Sequence, residues 1–448
     1  MPVALMWFRG DLRLHDHPAL RATLAAGADG VVPVFVLDDH LDVTRMPVRG
    51  AYLTRLLAEL DERIGGLHLV RGRPEVEIPR LAGRTGAASV HVTAAHTPYG
   101  LRRDRAVAAA LGEVPLVRTG SGYAVDPGTV RKSDGTAYRV FTPFFRSWQG
   151  HGAAPPAEPV EPATVPWLRP GGGTDLPEVQ PPADLTLPPV GERAALEHWR
   201  RWLDDHVDAY ATERDRPDLD TTSRMSVHLK WGTVHPRTLL ADLAGRDSDG
   251  ARAHERQLAF REFYADVLHE RPDSAHGYYD RRYERLRYDE PAGDFEAWKQ
   301  GRTGFPFIDA GMRQLLAEGW MHNRLRMAVA SFLVKDLHLE WTHGARWFLE
   351  RLVDADLANN QHGWQWVAGC GTDAAPYFRV FNPVAQGRRL DPDGAYVRRW
   401  VPELRDVPGA AVHEPWTLDA PPADYPPPLV DHGQERAEAL RRHADLGR

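Results

Sequence analysis

Residues 3–13, VALMWFRGDLR, open on six apolar residues and then turn to charge, the pattern of a buried strand that ends in a loop. The run is short and closely followed by Arg9, Asp11 and Arg13, so it does not read as the apolar segment of a secretion signal. Outward from it the pattern recurs. VVPVFVLD at 31–38, LHLV at 67–70, SVHV at 89–92 and VPLV at 114–117 alternate with amphipathic stretches at 47–64 and 101–111. Such alternation predicts a doubly wound, Rossmann-like parallel sheet covered by helices on both faces. After the first strand, WFRGDLR stands where a dinucleotide-binding turn carries G-x-G-x-x-G, which argues against a nicotinamide dehydrogenase.

Between residues 155 and 189 there are 11 prolines and a GGG run without any period, which describes an irregular connection. No strand precedes those glycines and no Lys-Ser/Thr follows them, so they do not form a phosphate loop. From 191 onward the spacing becomes helical, in stretches 195–210, 252–269, 307–320 and 323–341. The expected organisation is an α/β domain over 1–130, a long linker over 131–190 and an all-α domain over 191–448.

The 448 residues suffice for two or three domains, and no apolar run is long enough to span a membrane. A single cysteine, Cys370, excludes an internal disulfide and a four-thiolate iron–sulfur cluster. The formal net charge of −7 argues against a protein that coats nucleic acid nonspecifically, while leaving room for a local basic face. A cytoplasmic location is the default expectation. Arginine outnumbers lysine 51 to 4, a bias ascribed to a GC-rich genome and not to function.

Three polar segments in the helical half carry chemistry. Thr221-Thr222-Ser223-Arg224-Met225-Ser226 precedes a helix, where hydroxyls and free N–H groups suit a pyrophosphate; the same segment also reads as a plain N-cap. In Trp320–Met327, Asn323 and Arg326 fall one turn apart while Arg324 points elsewhere. Asp354–Asn360 sets carboxylates and amides beside Trp364-Gln365-Trp366, either to read the edge of a heteroaromatic ring or as a solvated loop next to a core tryptophan. No third carboxylate supports a magnesium site there.

With WFRGDLRLHDHPAL at 7–20, REFY at 261–264, TGFPFIDAGMRQL at 303–315, GWMHNRLRMAVASFLVKDL at 319–337, DADLANN at 354–360, GWQW at 363–366 and GTDAAPYFRVFNP at 371–383, the chain resembles the photolyase/cryptochrome flavoproteins over almost its whole length. The resemblance implies an antenna α/β domain and a helical domain holding a U-shaped FAD, with a DNA lesion flipped above the flavin. It assigns cofactor contacts to Tyr210, Thr222, Ser223, Arg224, Met225, Ser226, His254, Gln257, Arg261, Trp320, Asn323, Arg326, Asp354, Asp356 and Asn360. Asn360 is placed against flavin N5, and Arg326 pairs with Asp354 near the ring so that the reduced flavin stays anionic.

The implied reaction is a light-driven electron loan from reduced FAD to a cyclobutane pyrimidine dimer, with Gln257, Asn360 and Trp366 at the reaction site. Implied contacts to damaged DNA are Phe260, Asn323, Arg324, Met327, Trp366 and Arg388, with Arg281, Arg282, Arg285, Arg287 and Arg389 as further phosphate candidates. Photoreduction is implied through Trp364, Trp341 and Tyr288, with Trp298 and Trp400 as substitutes. The chain departs from the family at three of these positions. Gln257 stands where repairers of cyclobutane dimers carry glutamate, and Phe260 and Tyr288 stand where tryptophan is usual. A (6-4) photolyase would need histidines at Asn323 and Met327. Thr97–Asp104 resembles the branch with a deazaflavin antenna (8-HDF), because Arg102-Arg103 replaces the Asn-Glu pair of the folate branch. A monomer without membrane contact is expected, and a signalling cryptochrome is the alternative.

Overall fold

The computed structural model describes residues 2–42, 45–372 and 378–447. Each of the five apolar runs is a strand: β1 (Val3–Phe8), β2 (Gly30–Asp38), β3 (His68–Gly72), β4 (Ala87–Val92) and β5 (Leu116–Arg118), all parallel in the order β3-β2-β1-β4-β5. Between them run α1 (Pro18–Ala25), α2 (Pro47–Ile64), α3 (Pro74–Thr85) and α4 (Pro98–Ala110). The twofold repeat of a strand divides the core. Met6 and Phe8 join Leu53, Leu56 and Leu57 of α2 on one face, and Leu5 and Trp7 join Ile78, Leu81 and Val107 on the other.

The chain changes side between β1 and β4, where sheets of this topology open a crevice at their carboxyl ends. Asp11 fills that position, accepting from Arg9 N at 2.6 Å and Thr93 Oγ1 at 2.5 Å. Burial alone would raise its carboxyl, but His17 at 3.2 Å and these bonds hold it well below the usual range.

The rest of the molecule is helical. After α5 (Phe141–His151) come α6 (Gly191–Asp205), α7 (Tyr210–Glu213), α8 (Ser226–Trp231), α9 (Pro236–Ala244) and the long α10 (Asp249–Glu270). Then follow α11 (Gly293–Gln300), α12 (Pro306–Glu318), α13 (Asn323–Lys335), α14 (Trp341–Arg351), α15 (Leu357–Ala368), α16 (Pro383–Leu390), α17 (Ala395–Trp400) and α18 (His432–Asp445). No described helix is long and apolar enough to cross a membrane.

Two helices end earlier than their periodicity predicts. The 195–210 pattern stops at Asp205, and Tyr210 opens the separate turn α7. The 323–341 pattern breaks after Lys335: His338 takes a left-handed backbone (φ 51°), Leu339 bridges Asp289, and Trp341 starts a new helix. That break gives Trp341 a direction independent of α13.

Buried carboxylates tie the halves together. Glu192 in the first turn of α6 accepts from Leu14 N and His15 N, both at 2.7 Å. Glu262 of α10 accepts from Val125 N at 3.1 Å and Trp148 Nε1 of α5 at 2.6 Å. The proline-rich stretch is docked along its length, with Val160 and Val165 buried and Trp167 bridging Val31. Near the site, α10 crosses so close to the preceding turn that a Cβ on Gly250 would lie 1.7 Å from Val207 O, so only glycine fits.

Candidate functional site

Two non-glycine residues in the left-handed region, Asp220 (φ 53°) just before the Thr221–Ser226 segment and Arg224 (φ 49°) within it, fold it into a tight turn ahead of α8. Backbone conformations of this kind cost about 1–3 kcal/mol each and persist where surroundings enforce them. His254 Nε2 lies 3.0 Å from Ser223 Oγ, and His198 Nε2 lies 2.7 Å from Ser223 O. The His254 ring sits among Trp199, Trp202 and Tyr210 at centroid distances of 5.1, 4.7 and 5.3 Å. Met225 is buried beneath the turn. Arg224 bends away, bonding Glu318 at 3.0 Å and Asp220 at 2.6 Å and stacking 4.2 Å from the Trp320 ring, whose Nε1 reaches Ser226 Oγ at 3.4 Å.

Burial pushes His254 down to about 3, and it lowers His228 to about 3 and His322 and His362 to about 4. These rings are neutral when folded but bind a proton near pH 6.5 when unfolded, so their contribution to stability is complete above that pH and shrinks as pH falls through it. Each costs up to about 1.4 kcal/mol per pH unit. Acidification from pH 7 to pH 4 is therefore expected to unfold the helical half and release bound flavin, followed by flavin fluorescence; full retention at pH 4 would contradict it.

At the start of α13, Arg326 donates to Met321 O and to Asp354 Oδ2, both at 2.8 Å, the second being the pair that the family resemblance implied. Asp356 N-caps α15 through Asn359 N at 2.9 Å. Against the desolvation of burial, Lys230 and Arg261 hold Asp356 below the usual carboxylate range. Arg261 donates to Gly122 O at 3.0 Å and lies 4.6 Å from the Tyr123 ring. Asn360 turns its amide nitrogen to Ala345 O at 3.0 Å and Gln361 Oε1 at 2.9 Å. Gln257 is half-buried on α10 with no side-chain hydrogen bond to a described residue.

These residues fit an FAD. The Oγ1 atoms of Thr221 and Thr222, and Oδ1 of Asp354, are buried without a hydrogen-bond partner among the described residues. An orphaned buried acceptor or hydroxyl costs about 1–3 kcal/mol, and a ligand with hydroxyls and ring N–H groups removes that cost.

Trp364 and Trp341 are both buried, and Trp364 packs edge-on to Phe348 at 5.0 Å and Trp298 at 6.2 Å. Tyr288 is half-buried, Trp298 is fully enclosed and bonded to Val329 O at 3.0 Å, and Trp400 lies at the margin of the same core. The residues implied for DNA contact lie on α10 (Phe260), α13 (Asn323, Arg324, Met327), α15 (Trp366) and α16 (Arg388). Phe260 is stacked on Phe141 with centroids 3.4 Å apart, which occupies one of its faces. Asn323 is exposed, with its amide 3.9 Å from Met327 Sδ. Trp366 lines a cavity of about 460 Å³ that includes Lys335 and Phe378 but none of the cofactor residues above.

The basic candidates are engaged with carboxylates or carbonyls: Arg324 with Asp215 at 2.5 Å, Arg281 with Asp273 at 3.1 Å, Arg282 with Asp280 at 2.6 Å, Arg287 with Glu438 at 3.6 Å, Arg388 with Glu414, and Arg285 with Leu446 O at 3.2 Å. Arg389 reaches Gln386 at 3.1 Å. Exposed pairs of this type are worth about 0–1 kcal/mol. Asp373–Tyr377 of the 371–383 motif lie outside the described residues.

Sequence reasoning missed Lys230 and Tyr123. Burial pulls the Lys230 ammonium below the lysine range while Asp356 and Asp354 oppose that shift, which puts a titratable amine at the edge of the site. No local pattern in the sequence marked it, since Lys230 stands in the ordinary helical stretch SVHLKW.

Comparison with known proteins agrees with this geometry. Residues 4–163 match the family described as DNA photolyase, and residues 254–445 match the FAD binding domain of DNA photolyase. Over 98% of its length the chain is 44% identical to the deoxyribodipyrimidine photo-lyase of Streptomyces griseus, covering 99% of that protein. Among solved structures it superposes on a class III photolyase from Agrobacterium tumefaciens with a TM-score of 0.91 at 32% identity, covering 100% of this chain and 98% of that one. A cryptochrome from Synechocystis gives a TM-score of 0.88 at 27% identity, covering 98% of this chain and 99% of that one. With a parallel sheet leading into a helical half whose orphaned polar atoms suit a flavin nucleotide, and with relatives of that identity end to end, the chain belongs to the DNA photolyase family.

Proposed function

We propose that the chain is a light-dependent lyase that splits cyclobutane pyrimidine dimers in DNA. The observation that carries this reading is the set of polar groups left without partners among the described residues in the motif segments, Thr222 Oγ1 and Asp354 Oδ1 together with the amide of Gln257. Reduced FAD, when bound, supplies the photoexcited electron that opens the cyclobutane ring and receives it back.

The protein's part is placement and electrostatics. The hydroxyls of Thr221–Ser226 and the N-terminus of α8 receive the phosphates. The Arg326 guanidinium offsets negative charge at the ring, with Asp354 fixing its orientation. Asn360 offers a neutral amide to the ring edge. Gln257 donates to a pyrimidine carbonyl, and because an amide carries neither charge nor transferable proton, it orients the lesion without protonating it. Phe260 offers its remaining face, and Trp366 a second, to the flipped bases. For the antenna, a deazaflavin is favoured over folate: Arg103 is committed to Asp104 at 3.0 Å and lies 5.1 Å from the Trp7 ring, leaving no carboxylate-amide pair for a pterin.

The test is blue illumination of fully reduced protein with dimer-containing single-stranded DNA, following recovery of thymine absorbance. No light-dependent recovery would leave the photoreceptor reading, which the likeness to the Synechocystis cryptochrome favours. Gln257→Glu is expected to raise the repair rate several-fold by adding charge and a proton donor at the lesion; an unchanged rate would show that this position does not limit turnover.

A further inference from the structure

Glu340, Trp341 and Tyr278 meet where α14 begins. Trp341 is fully buried, and its indole N–H has no hydrogen-bond partner among the described residues. Tyr278 stands edge-on to it, with ring centroids 6.0 Å apart at an interplanar angle of 84°. The Tyr278 hydroxyl donates to Glu340 Oε1 at 2.7 Å. Glu340 is the N-cap residue of α14 and immediately precedes Trp341, yet its side chain makes no capping bond, so the carboxylate is turned to the phenol. Tyr288 is a neighbour of the Tyr278 hydroxyl.

We propose that Tyr278 is the terminal electron donor of the buried aromatic chain, passing its phenolic proton to Glu340 as its electron fills the vacancy on Trp341. This rests on the reading of Trp364 and Trp341 as the route of photoreduction. The oxidant is the Trp341 indole radical cation, left when a photoexcited oxidised flavin draws an electron through Trp364. One electron leaves the Tyr278 ring for Trp341, the O–H bond breaks, and the proton goes to Glu340 Oε1. Indole cation, phenol and carboxylate become neutral indole, neutral phenoxyl radical and carboxylic acid, so charge and electrons balance.

The surroundings favour this order of events. With its N–H sealed from water and without an acceptor, the Trp341 cation has no route to shed a proton and stays strongly oxidising. A phenol gives up an electron easily only when its proton leaves at the same time, which needs a base already within hydrogen-bond reach. Tyr278 has that base at 2.7 Å. Burial, the neighbouring Tyr288 and the Glu340 carboxylate all push the Tyr278 phenol well above its usual range, so it holds its proton until the electron departs.

The experiment uses the holoprotein with oxidised flavin, a blue flash, and transient absorption with electron paramagnetic resonance. The expected result is a neutral tyrosyl radical in the unaltered protein and in Tyr288→Phe, its loss in Tyr278→Phe, and a longer-lived tryptophan radical cation in Glu340→Gln. Loss of the tyrosyl signal in Tyr288→Phe, or its survival in Tyr278→Phe, would overturn the assignment of Tyr278. Undiminished photoreduction in Trp341→Phe would overturn the chain beneath it, which separates the two failures. Dark flavin absorption at full stoichiometry verifies each fold, and if Glu340→Gln does not fold, Tyr278→Phe, which removes only one oxygen, carries the test.

Discussion

Asp354→Ala is expected to yield a folded chain that no longer retains FAD through gel filtration. The Asp354 side chain is almost fully enclosed, with Oδ2 on Arg326 at 2.8 Å and Oδ1 without a partner among the described residues. Its removal does two things: it deletes a buried acceptor left without a partner among the described residues, and it frees the guanidinium that the carboxylate had oriented. Removing one member of a buried pair costs about 3–5 kcal/mol. Arg326 keeps a quarter of its side-chain surface exposed, so water recovers part of that cost. A loss of about 2 kcal/mol is therefore expected, roughly thirty-fold in Kd. Asp354→Asn retains shape and one acceptor and is expected to fall between the two. Fluorescence titration of apoprotein with FAD measures both, and an unchanged affinity for Asp354→Ala would remove this carboxylate from the cofactor site.

Gly344→Ala is expected to damage both the fold and the photoreduction route. A Cβ there would lie 2.1 Å from Cη2 of Trp364 and 2.6 Å from Cδ2 of Leu333, because Gly344 is the gap through which α14 approaches α13 and α15. Overpacking of this sort costs about 1–3 kcal/mol. The indole is forced off its position, so blue-light reduction of bound flavin should slow markedly at a lower melting temperature. Gly363→Ala on α15 is the internal control. No described residue outside the helix's own backbone lies within 4 Å of its would-be Cβ, so it should stabilise the helix by about 0.5–1 kcal/mol and leave photoreduction unchanged. Equal behaviour of the two variants would show that Trp364 packing against α14 is not what places it.

The five strands and the longer helices were legible because they are written in local periodicity. VALMWF and VVPVFVLD have no polar face, which is possible only for strands covered on both sides. The motifs of the helical half were likewise legible as a set, since their order along the chain is itself information. Other features were not. The 323–341 pattern continues apolar through a break at His338, because residues of a tight turn buried on all sides are as apolar as a helix. Arg224 lies inside the phosphate-like motif but is turned toward Glu318 and Asp220, which no spacing rule reports.

Sequence by itself therefore determined the parallel sheet, the helical half and the family, because these depend on period and motif order, and the family resemblance in turn implied the Arg326–Asp354 pair. Only the tertiary structure decided that Lys230 and Tyr123 border the site, that Phe260 has a single free face, and that Tyr278 stands between Trp341 and Glu340. Those contacts join residues up to well over a hundred positions apart. Their energies come from burial and approach between elements, and neither leaves a trace in the neighbourhood of any one residue along the chain.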